Sequence, residues 1–550
     1  MTSKLSIFAA QLNPIVGDIA GNLERAEAAH QQGAAQGADL IVLPELFIIG
    51  YPPEDLVLKP SAVRMCMDAV EALAAMTAEG PAVIIGTPWF DDGKLHNSAV
   101  LLQQGQVAGR YDKRELPNYG VFDEKRLFVP GGDAFPVFDI GGTRVGIAIC
   151  EDLWFERVPR ALKAAGADVM IAPNASPWRR TIQSERGTAF DTWRDLDLPY
   201  LFVNQVGGQD ELVFDGASFA TNGRYAERCG LVGSFEEGSA LVHFEAGQFV
   251  GLGDSCAEDT DNWDAEYRAA VLGLGDYVNK NRFPGVVLGM SGGIDSALTA
   301  AIAVDALGPD RVWCVMMPSR YTSEESLEDA RLCAELLGVR YDTISIAPGV
   351  SALDDMLEAT FAETESDTTE ENIQSRLRGL TLMALSNKFG HMVVTTGNKS
   401  EMAVGYATLY GDMCGGYNAL KDFYKTEVFA LADWRNTNHP EGVLGPTGDV
   451  IPSRIITKPP SAELREDQKD EDSLPPYEVL DDILRGLVDW EEDVDEIIAR
   501  GHDAHTVRRI EHLLYIAEYK RRQAPPGVKV GGKNFGRDRR YPITNRFRHG

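Results

Sequence analysis

The sequence has no long apolar run and no excess of basic residues. None of its hydrophobic stretches reaches the roughly 18 residues that a membrane-spanning helix requires. Asp and Glu number 83 against 52 Lys and Arg, so the formal net charge is −31. Such a charge repels the phosphates of nucleic acids at long range. We therefore expect partners that are neither membranes nor nucleic acids.

Cysteine is also scarce, because the 550 residues contain only seven, spaced neither as close pairs nor as metal ligands. A disulfide framework is therefore not expected. The start of the chain, "MTSKLSIFAAQLNP", lacks the basic end, the long apolar stretch and the cleavage site of a secretory signal. Together these features predict a protein of a reducing compartment, the cytoplasm.

The length exceeds what one hydrophobic core usually serves, and the pattern changes near the middle of the chain. Residues 1–253 alternate apolar strands such as "DLIVLPE" and "TRVGIAIC" with helical stretches, which predicts a layered α/β domain. An acidic stretch follows, and we assign residues 254–265 to a linker. Residues 266–550 again alternate strands and helices, which predicts a second domain with a doubly wound parallel sheet.

A phosphate-binding loop is predicted at residues 289–296, "GMSGGIDS", between an apolar strand and an alanine-rich helix. Two glycines allow a tight turn that brings several N–H groups together, and the helix start adds partial positive charge. No lysine follows the glycines, so the sequence is not a Walker loop. The candidate ATP contacts are Gly289, Met290, Ser291, Gly292, Gly293, Ile294, Asp295 and Ser296.

A capping box is predicted at the start of a further helix, where Thr322 and Glu325 have the required spacing. Residues 436–476 contain proline and serine pieces to which we assign no chemistry beyond a lid or an interface.

The segment "SGGIDS" resembles the pyrophosphate loop of enzymes that adenylate a substrate with ATP and release pyrophosphate. Downstream, "ENIQSRLRG", "TTGNKSEMAVGYATLYGD" and "DFYKTEV" resemble the NAD synthetases in the same order. The resemblance implies that Thr396 contacts ATP and that Asp295 and Glu401 hold Mg²⁺. It also implies contacts to the nicotinate dinucleotide (deamido-NAD) from Asn372, Arg376, Glu401 and Lys520, with Tyr406, Asp412 and Lys425 in matching segments.

A candidate nucleophile, Cys150, ends an apolar strand of the first half in "GIAICEDLWF". A lone cysteine is more often a small buried hydrophobe. Glu45 also ends a strand, and "YDKREL" supplies Lys113. If the three lie together, Glu45 can act as a general base for the thiol and Lys113 can stabilise an oxyanion. This is the chemistry of amide cleavage through a thioester.

The segments around these three residues resemble the nitrilase-type amidase superfamily, which implies a nitrilase-like α-β-β-α sandwich with a Glu45, Lys113 and Cys150 triad. Within the glutaminases of that superfamily, Tyr119 and Ser176 match positions that hold glutamine. Ile182 is assigned to the same site, although no chemically obvious contact explains it. Glu124 is a possible assistant of the triad.

Over almost its full length the chain thus resembles the glutamine-dependent NAD(+) synthetases. The resemblance implies glutamine, ATP and deamido-NAD as small-molecule partners, Mg²⁺ as cofactor, an adenine nucleotide α-hydrolase-like second domain and a homo-oligomer formed through that domain. Two alternatives stay open: another glutamine-dependent amidating synthetase of the same ATP-loop family, and a catalytically degenerate nitrogen-sensing protein.

Overall fold

The computed structural model describes residues 4–223, 228–252, 262–466 and 468–547. The chain divides into two compact units, Met1–Asn262 and Trp263–Gly550. Most of the predicted linker, residues 254–265, lies outside the described residues, and its last three residues belong to a helix. In the described residues no helix is long and apolar enough to cross a membrane.

The first unit contains two mixed sheets and a hairpin. Its strands are β1 (Lys4–Gln11), β2 (Leu40–Val42), β3 (Ala82–Asp91), β4 (Lys94–Gln103), β5 (Gln106–Asp112), β6 (Val137–Ile140), β7 (Thr143–Ile147), β8 (Val169–Asn174), β9 (Tyr200–Asn204), β10 (Val206–Gln209), β11 (Leu212–Asp215), β12 (Phe219–Thr221), β13 (Cys229–Gly230), β14 (Gly238–Glu245) and β15 (Gln248–Val250). One sheet has the order β15-β14-β1-β2-β3-β4-β5, and the other has β13-β12-β9-β8-β7-β6. The hairpin is β10-β11.

The helices of the first unit are α1 (Ile19–Ala35), α2 (Pro60–Met76), α3 (Glu124–Leu127), α4 (Arg157–Ala164) and α5 (Ile182–Asp191). Strand β1 shows how the layers form, because its side chains alternate between two cores. Ile7 faces the core between the two sheets, and Phe8 faces the core that α1 and α2 cover. Residues of α4 and α5 complete the core on the second sheet. The layers are therefore helix, sheet, sheet and helix, and the predicted fold class is confirmed.

The second unit contains a five-stranded parallel sheet of order β18-β17-β16-β19-β20. Its strands are β16 (Val286–Gly289), β17 (Val312–Met316), β18 (Arg340–Thr343), β19 (Met392–Thr395) and β20 (Tyr417–Asn418). Its helices are α6 (Trp263–Lys280), α7 (Ile294–Leu307), α8 (Glu324–Leu337), α9 (Ala347–Phe361), α10 (Thr368–Phe389), α11 (Lys399–Val404), α12 (Lys425–Thr437), α13 (Ser453–Thr457), α14 (Tyr477–Leu484), α15 (Val494–Ala499), α16 (Ala504–Ile516) and α17 (Glu518–Arg521).

All four strand pairings of this sheet are parallel, so the carboxyl ends of its strands lie at one edge. Residues from β16, β17 and α10 share one hydrophobic core, and helices α11, α14, α15 and α16 share another. The predicted parallel α/β sheet is confirmed. In such sheets ligands bind beyond the carboxyl ends of the strands, and the turn after β16 lies at that edge.

The start of α8 differs from the sequence prediction. The helix begins at Glu324, and its N-cap is Ser323, whose side chain accepts a hydrogen bond from the backbone N–H of Ser326. The predicted cap, Thr322, instead accepts a bond from the backbone of Ser319 at 3.0 Å. The prediction was wrong by one residue because several adjacent hydroxyl and acidic residues satisfy the capping pattern equally well.

Candidate active sites

Cys150 follows β7 at a sharp turn that leads directly into a short 3₁₀ helix, Cys150–Trp154. Its φ is +44°, a value that non-glycine residues seldom adopt. The carboxylate of Asp152 stabilises the turn, because it accepts a bond from the backbone N–H of Ile149 at 2.9 Å. The same carboxylate accepts bonds from the backbone N–H groups of Arg114 and Glu115, at 3.1 and 2.9 Å. One buried side chain thus connects the cysteine turn to the segment that follows Lys113.

Lys113 lies between two carboxylates in the same interior. Its Nζ donates to Glu45 Oε1 at 2.7 Å and to Glu124 Oε1 at 2.8 Å. Asn97 Nδ2 also donates to Glu45 Oε1, at 2.7 Å, and the backbone N–H of Ala175 donates to Glu45 Oε2 at 3.0 Å. The lysine, the asparagine and both glutamates are only 1% to 3% exposed. The predicted base and the predicted cation therefore lie in direct contact.

The electrostatics of this cluster depend on burial and on opposite charges. Burial alone lowers the pKa of Lys113, but Glu124 and Glu45 raise it by more than burial lowers it. The pKa of Lys113 therefore lies well above its usual value. Burial and the nearby Glu45 raise the pKa of the Cys150 thiol well above its usual value. At neutral pH the resting site therefore contains an ammonium group and a protonated thiol.

At the rim of this site Tyr119 contacts a further acidic residue, Glu151, which directly follows Cys150. Tyr119 is 54% exposed, and its hydroxyl donates to Glu151 Oε1 at 2.9 Å. Burial raises the pKa of Glu151 to about 7, although Lys113 and Tyr119 oppose this shift. Tyr119 was predicted from the sequence, whereas Glu151 had no predicted role, because only the fold places it against Tyr119.

The other two residues assigned to glutamine, Ser176 and Ile182, are buried. The Ser176 hydroxyl accepts a bond from Arg186 NH2 at 3.1 Å, and Arg186 forms an ion pair with Asp215 at 2.8 Å. Ile182 is the first residue of α5 and is 1% exposed. Its side chain offers only apolar contact, whereas Arg186, one turn further along the helix, is the polar residue that sequence reasoning missed.

The loop 289–296 has the form that its glycines predict. Gly292 has a φ of +81°, and a Cβ there would lie 2.4 Å from the carbonyl oxygen of Ser326, so the position requires glycine. Ser296 Oγ donates to the carbonyl of Gly293 at 2.9 Å and accepts a bond from the Ser291 backbone at 3.2 Å. All eight loop residues line a cavity of about 290 Å³.

Two acidic residues and a lysine meet inside this cavity. Lys425 Nζ lies 2.5 Å from Asp295 Oδ2 and 3.2 Å from Glu401 Oε1. Burial raises the pKa of Glu401 to about 8, with Lys425 opposing and Asp295 adding to the shift. Burial lowers the pKa of Lys425, but the two carboxylates raise it above the usual value. Because Mg²⁺ binds one or two carboxylates together with phosphate oxygens, Asp295 and Glu401 fit such an ion. Among the described residues no cluster of three or more His, Cys, Asp or Glu is arranged for a metal.

The remaining predicted contacts fall into two places. Thr396 lines the same cavity as the loop and Glu401. Asn372, Arg376 and Lys520 surround residues 405–409 beside it. Asn372 accepts a bond from Thr408 at 2.9 Å, Arg376 donates to the carbonyl of Leu409 at 3.2 Å, and Lys520 donates to the carbonyl of Gly405 at 2.7 Å.

Residues 436–476, to which the sequence assigned no chemistry, contribute a wall of the cavity. The lining includes residues 458–464 and Asp470. Asp470 accepts bonds from Tyr477 at 2.8 Å and from Tyr406 at 3.4 Å. The adjacent prolines of "KPPSAEL" indicate an irregular segment, but no sequence pattern predicts that this segment lies beside the loop 289–296.

Comparisons with known proteins match both units. The carbon-nitrogen hydrolase family model matches residues 7–242, and the NAD synthase model matches residues 266–524. The glutamine-dependent NAD(+) synthetase of Rhodobacter capsulatus is 51% identical, with 100% of each chain covered. That of Xanthomonas campestris pv. campestris is 47% identical over 99% of this chain and 98% of the relative.

Solved structures agree with these matches. A glutamine-dependent NAD(+) synthetase from Acinetobacter baumannii, in complex with ADP, is 40% identical. The TM-score is 0.77, and 98% of this chain and 99% of that chain are covered. A glutamine-dependent NAD(+) synthetase from Cytophaga hutchinsonii, at 21% identity and a TM-score of 0.82 over 99% and 98% of the chains, is similar in fold.

Proposed function

The chain belongs to the glutamine-dependent NAD(+) synthetases, and from this premise we propose how its residues divide the work. The enzyme is a carbon–nitrogen ligase that hydrolyses glutamine to ammonia and uses the ammonia to amidate deamido-NAD. ATP is consumed to AMP and pyrophosphate, and the products are NAD and glutamate. The first unit liberates the nitrogen, and the second unit installs it.

In the first unit Cys150 Sγ attacks the side-chain carbonyl carbon of glutamine. Glu45 accepts the thiol proton as the S–C bond forms, because burial keeps the resting thiol protonated. The Lys113 ammonium, 2.7 Å from Glu45, stabilises the oxyanion. When the C–N bond breaks, the proton on Glu45 leaves with the nitrogen as ammonia.

The second half of this reaction removes glutamate from the cysteine. A water molecule attacks the thioester carbon while Glu45 accepts its proton, and the C–S bond then breaks as Glu45 returns that proton to the sulfur, which restores the resting thiol. Glu124 shares Lys113 with Glu45 and thereby keeps the ammonium in place. We assign glutamine binding to Tyr119, Ser176 and Ile182. The exposed position of Tyr119 beside buried Glu151 supports the first assignment.

In the second unit the loop 289–296 binds the ATP phosphates, and Thr396 lies in the same cavity. We assign Mg²⁺ to Asp295 and Glu401; when bound, the ion neutralises phosphate charge. A nicotinate carboxylate oxygen attacks the α-phosphorus, pyrophosphate leaves, and ammonia then displaces AMP. We assign deamido-NAD to Asn372, Arg376, Glu401 and Lys520.

The observation that carries the proposal for the first unit is the buried contact of Glu45 with Lys113 next to Cys150. Replacement of Cys150 by Ala tests it. The variant should lose NAD formation from glutamine and keep NAD formation from ammonium, and AMP and pyrophosphate should remain the products of ATP. A nitrogen sensor would show neither activity before or after the change. Release of ADP and orthophosphate would exclude this family of reactions.

We also propose a homo-oligomer formed through the second unit. Helix α9 contains no buried residue, and Met356 on α9 and Leu380 on α10 are 74% and 64% exposed. Such apolar side chains on adjacent helices support burial against another copy. Sedimentation of the full chain should show a dimer or larger species, and charged replacements of Met356 and Leu380 should yield monomers.

Cytoplasmic location is proposed as well, because a reducing compartment keeps the Cys150 thiol free.

A further inference from the structure

Asn97, on β4, contacts three charged residues of the first unit. Its backbone carbonyl accepts a bond from the backbone N–H of Lys113 at 2.8 Å. Its side-chain Nδ2 donates to Glu45 Oε1 at 2.7 Å and to Glu124 Oε2 at 3.3 Å. The amide is thus a neutral bridge between the two glutamates, and the same residue holds the backbone of the lysine that pairs with both.

These contacts make the two oxygens of Glu45 unequal. Oε1 accepts bonds from both Lys113 Nζ and Asn97 Nδ2, each at 2.7 Å. Within the part of the chain that the structure describes, Oε2 accepts a bond only from the backbone N–H of Ala175, at 3.0 Å. A carboxylate oxygen accepts about two hydrogen bonds. Oε1 is therefore saturated, whereas Oε2 can still accept a proton.

The other end of the Asn97 amide does not explain why an asparagine stands here. The residue is 1% exposed, and in the described ranges Asn97 Oδ1 has no hydrogen-bond partner. A buried polar atom without a partner lowers stability. The next residue on the strand, Ser98, is by contrast paired, because its hydroxyl donates to Asp112 Oδ1 at 2.6 Å. The two bonds donated by Nδ2 are what distinguishes Asn97 from an apolar residue of the same shape.

The charges around Glu45 show what a neutral donor contributes. One ammonium, that of Lys113, serves two buried carboxylates, Glu45 and Glu124. The titratable groups that face Glu45 are Tyr51, Lys113, Glu124, Cys150 and Glu151. Lys113 is the cation among them, and the other four are acids. Hydrogen bonds to a carboxylate favour its charged form, so the Asn97 amide favours ionised glutamates without adding another charge.

We propose that Asn97 is a positioning residue for amide cleavage, which holds Glu45 ionised and leaves Oε2 as the oxygen that accepts protons. The inference deepens the proposed function, because it rests on Glu45 as the general base. Oε2 accepts the proton of Cys150 Sγ as the S–C bond forms and gives it to the departing nitrogen. It then accepts a proton from water and returns it to the sulfur. Oε1 stays bonded to Asn97 and Lys113 throughout.

The test is the pH dependence of glutamine hydrolysis by the full-length enzyme, followed as glutamate formation. Asn97→Leu keeps the branched outline of the side chain and removes both donors. We expect the acid limb of kcat/KM for glutamine to move up by about one pH unit, because a hydrogen bond to a charged group is worth roughly a tenfold change in protonation. On that limb kcat/KM should fall about tenfold, with a smaller loss at higher pH.

Ser98→Ala is the matched control, since it removes a buried polar contact from the adjacent position of the same strand. It should leave the acid limb where the wild type has it. Formation of NAD from ammonium should be unchanged in both variants, because the second unit is not altered. If thermal unfolding shows that Asn97→Leu does not fold, Asn97→Ser replaces it. A serine hydroxyl is too short to bridge both glutamates, so the acid limb should move in the same direction.

An acid limb at the wild-type pH in the Asn97 variant, whatever the rate, would overturn the proposal, because Asn97 would then serve packing alone. An equal displacement in Ser98→Ala would also overturn it, since any lost contact on β4 would have the same effect. A wild-type enzyme that does not hydrolyse glutamine would contradict the proposed function of the first unit, and this inference with it. That failure is recognised before any variant is compared.

Discussion

Replacement of Lys113 by Met should destabilise the first unit in a manner that depends strongly on pH. The change removes the ammonium that lies 2.7 Å from Glu45 and 2.8 Å from Glu124, in an interior where both carboxylates are nearly inaccessible. Removal of one member of a buried ion pair typically costs about 3–5 kcal/mol. We expect a loss of this size in the free energy of unfolding at pH 8.

The sign of the pH dependence follows from Glu124, whose pKa is raised by burial and held down in part by Lys113. Without Lys113 the folded state favours the protonated form of Glu124, whereas a glutamate of the unfolded chain titrates near the usual value of about 4.3. The folded state then binds more protons, so stability falls as pH rises from about 4.3 through the folded pKa. The loss should therefore be smaller at pH 5.5 than at pH 8.

Urea unfolding of the full chain, followed by fluorescence at both pH values, measures this effect. Glu124→Gln in the Lys113→Met background is the matched control. It removes one of the two buried carboxyls that have lost their ammonium partner, and it should restore part of the stability at pH 8. Glutamine-dependent turnover of Lys113→Met should fall by about 10²–10³-fold, as for loss of an oxyanion donor, with ammonium-dependent turnover retained. A loss of stability that is equal at both pH values and insensitive to Glu124→Gln would refute the reasoning.

Two further predictions concern single positions. Gly292→Ala should abolish NAD formation from both glutamine and ammonium, because the φ of Gly292 is +81° and a Cβ there would lie 2.4 Å from the carbonyl oxygen of Ser326. Gly293→Ala is the control and should retain most activity in the same two assays, because Gly293 has an ordinary φ and its Cβ would lie 3.3 Å from the nearest atom. Equal losses in the two variants would contradict the expectation. Glu151→Gln should raise the free energy of unfolding at pH 8 by up to about 3 kcal/mol, since the folded pKa of about 7 makes the native acid lose stability as pH rises from about 4.5 to 7. Denaturation at pH 5 and pH 8 measures this gain, which should fall below about 1 kcal/mol at the lower pH, and a pH-independent gain would contradict it.

Prediction from sequence succeeded best for sites whose residues are adjacent in the sequence and for residues that directly follow a strand. The loop 289–296 contains its own turn, charge and helix start, so its form could be predicted from its residues. Cys150 and Glu45 each follow an apolar strand, and the structure brings Lys113 to Glu45. The roles of these residues remain predictions until variants are measured.

Other features depended on tertiary contacts that no local pattern records. Asn97 is one of several polar residues on β4, and only the fold shows that it bonds Glu45, which follows β2. Glu463 accepts a bond from Ser326, from which it is separated by 137 positions. The cap of α8 was misplaced because adjacent hydroxyl residues compete for it, and tertiary packing decides between them.

Asp152 has a consequence for how the first unit loses activity on heating. Its single carboxylate is bonded to the turn that contains Cys150 and to the backbone that directly follows Lys113. Cys150 and the segment of Lys113 should therefore lose their relative positions together rather than one after the other. Heat should therefore inactivate the first unit in one cooperative transition that coincides with unfolding of the sheet containing β7. No weakly active intermediate should accumulate.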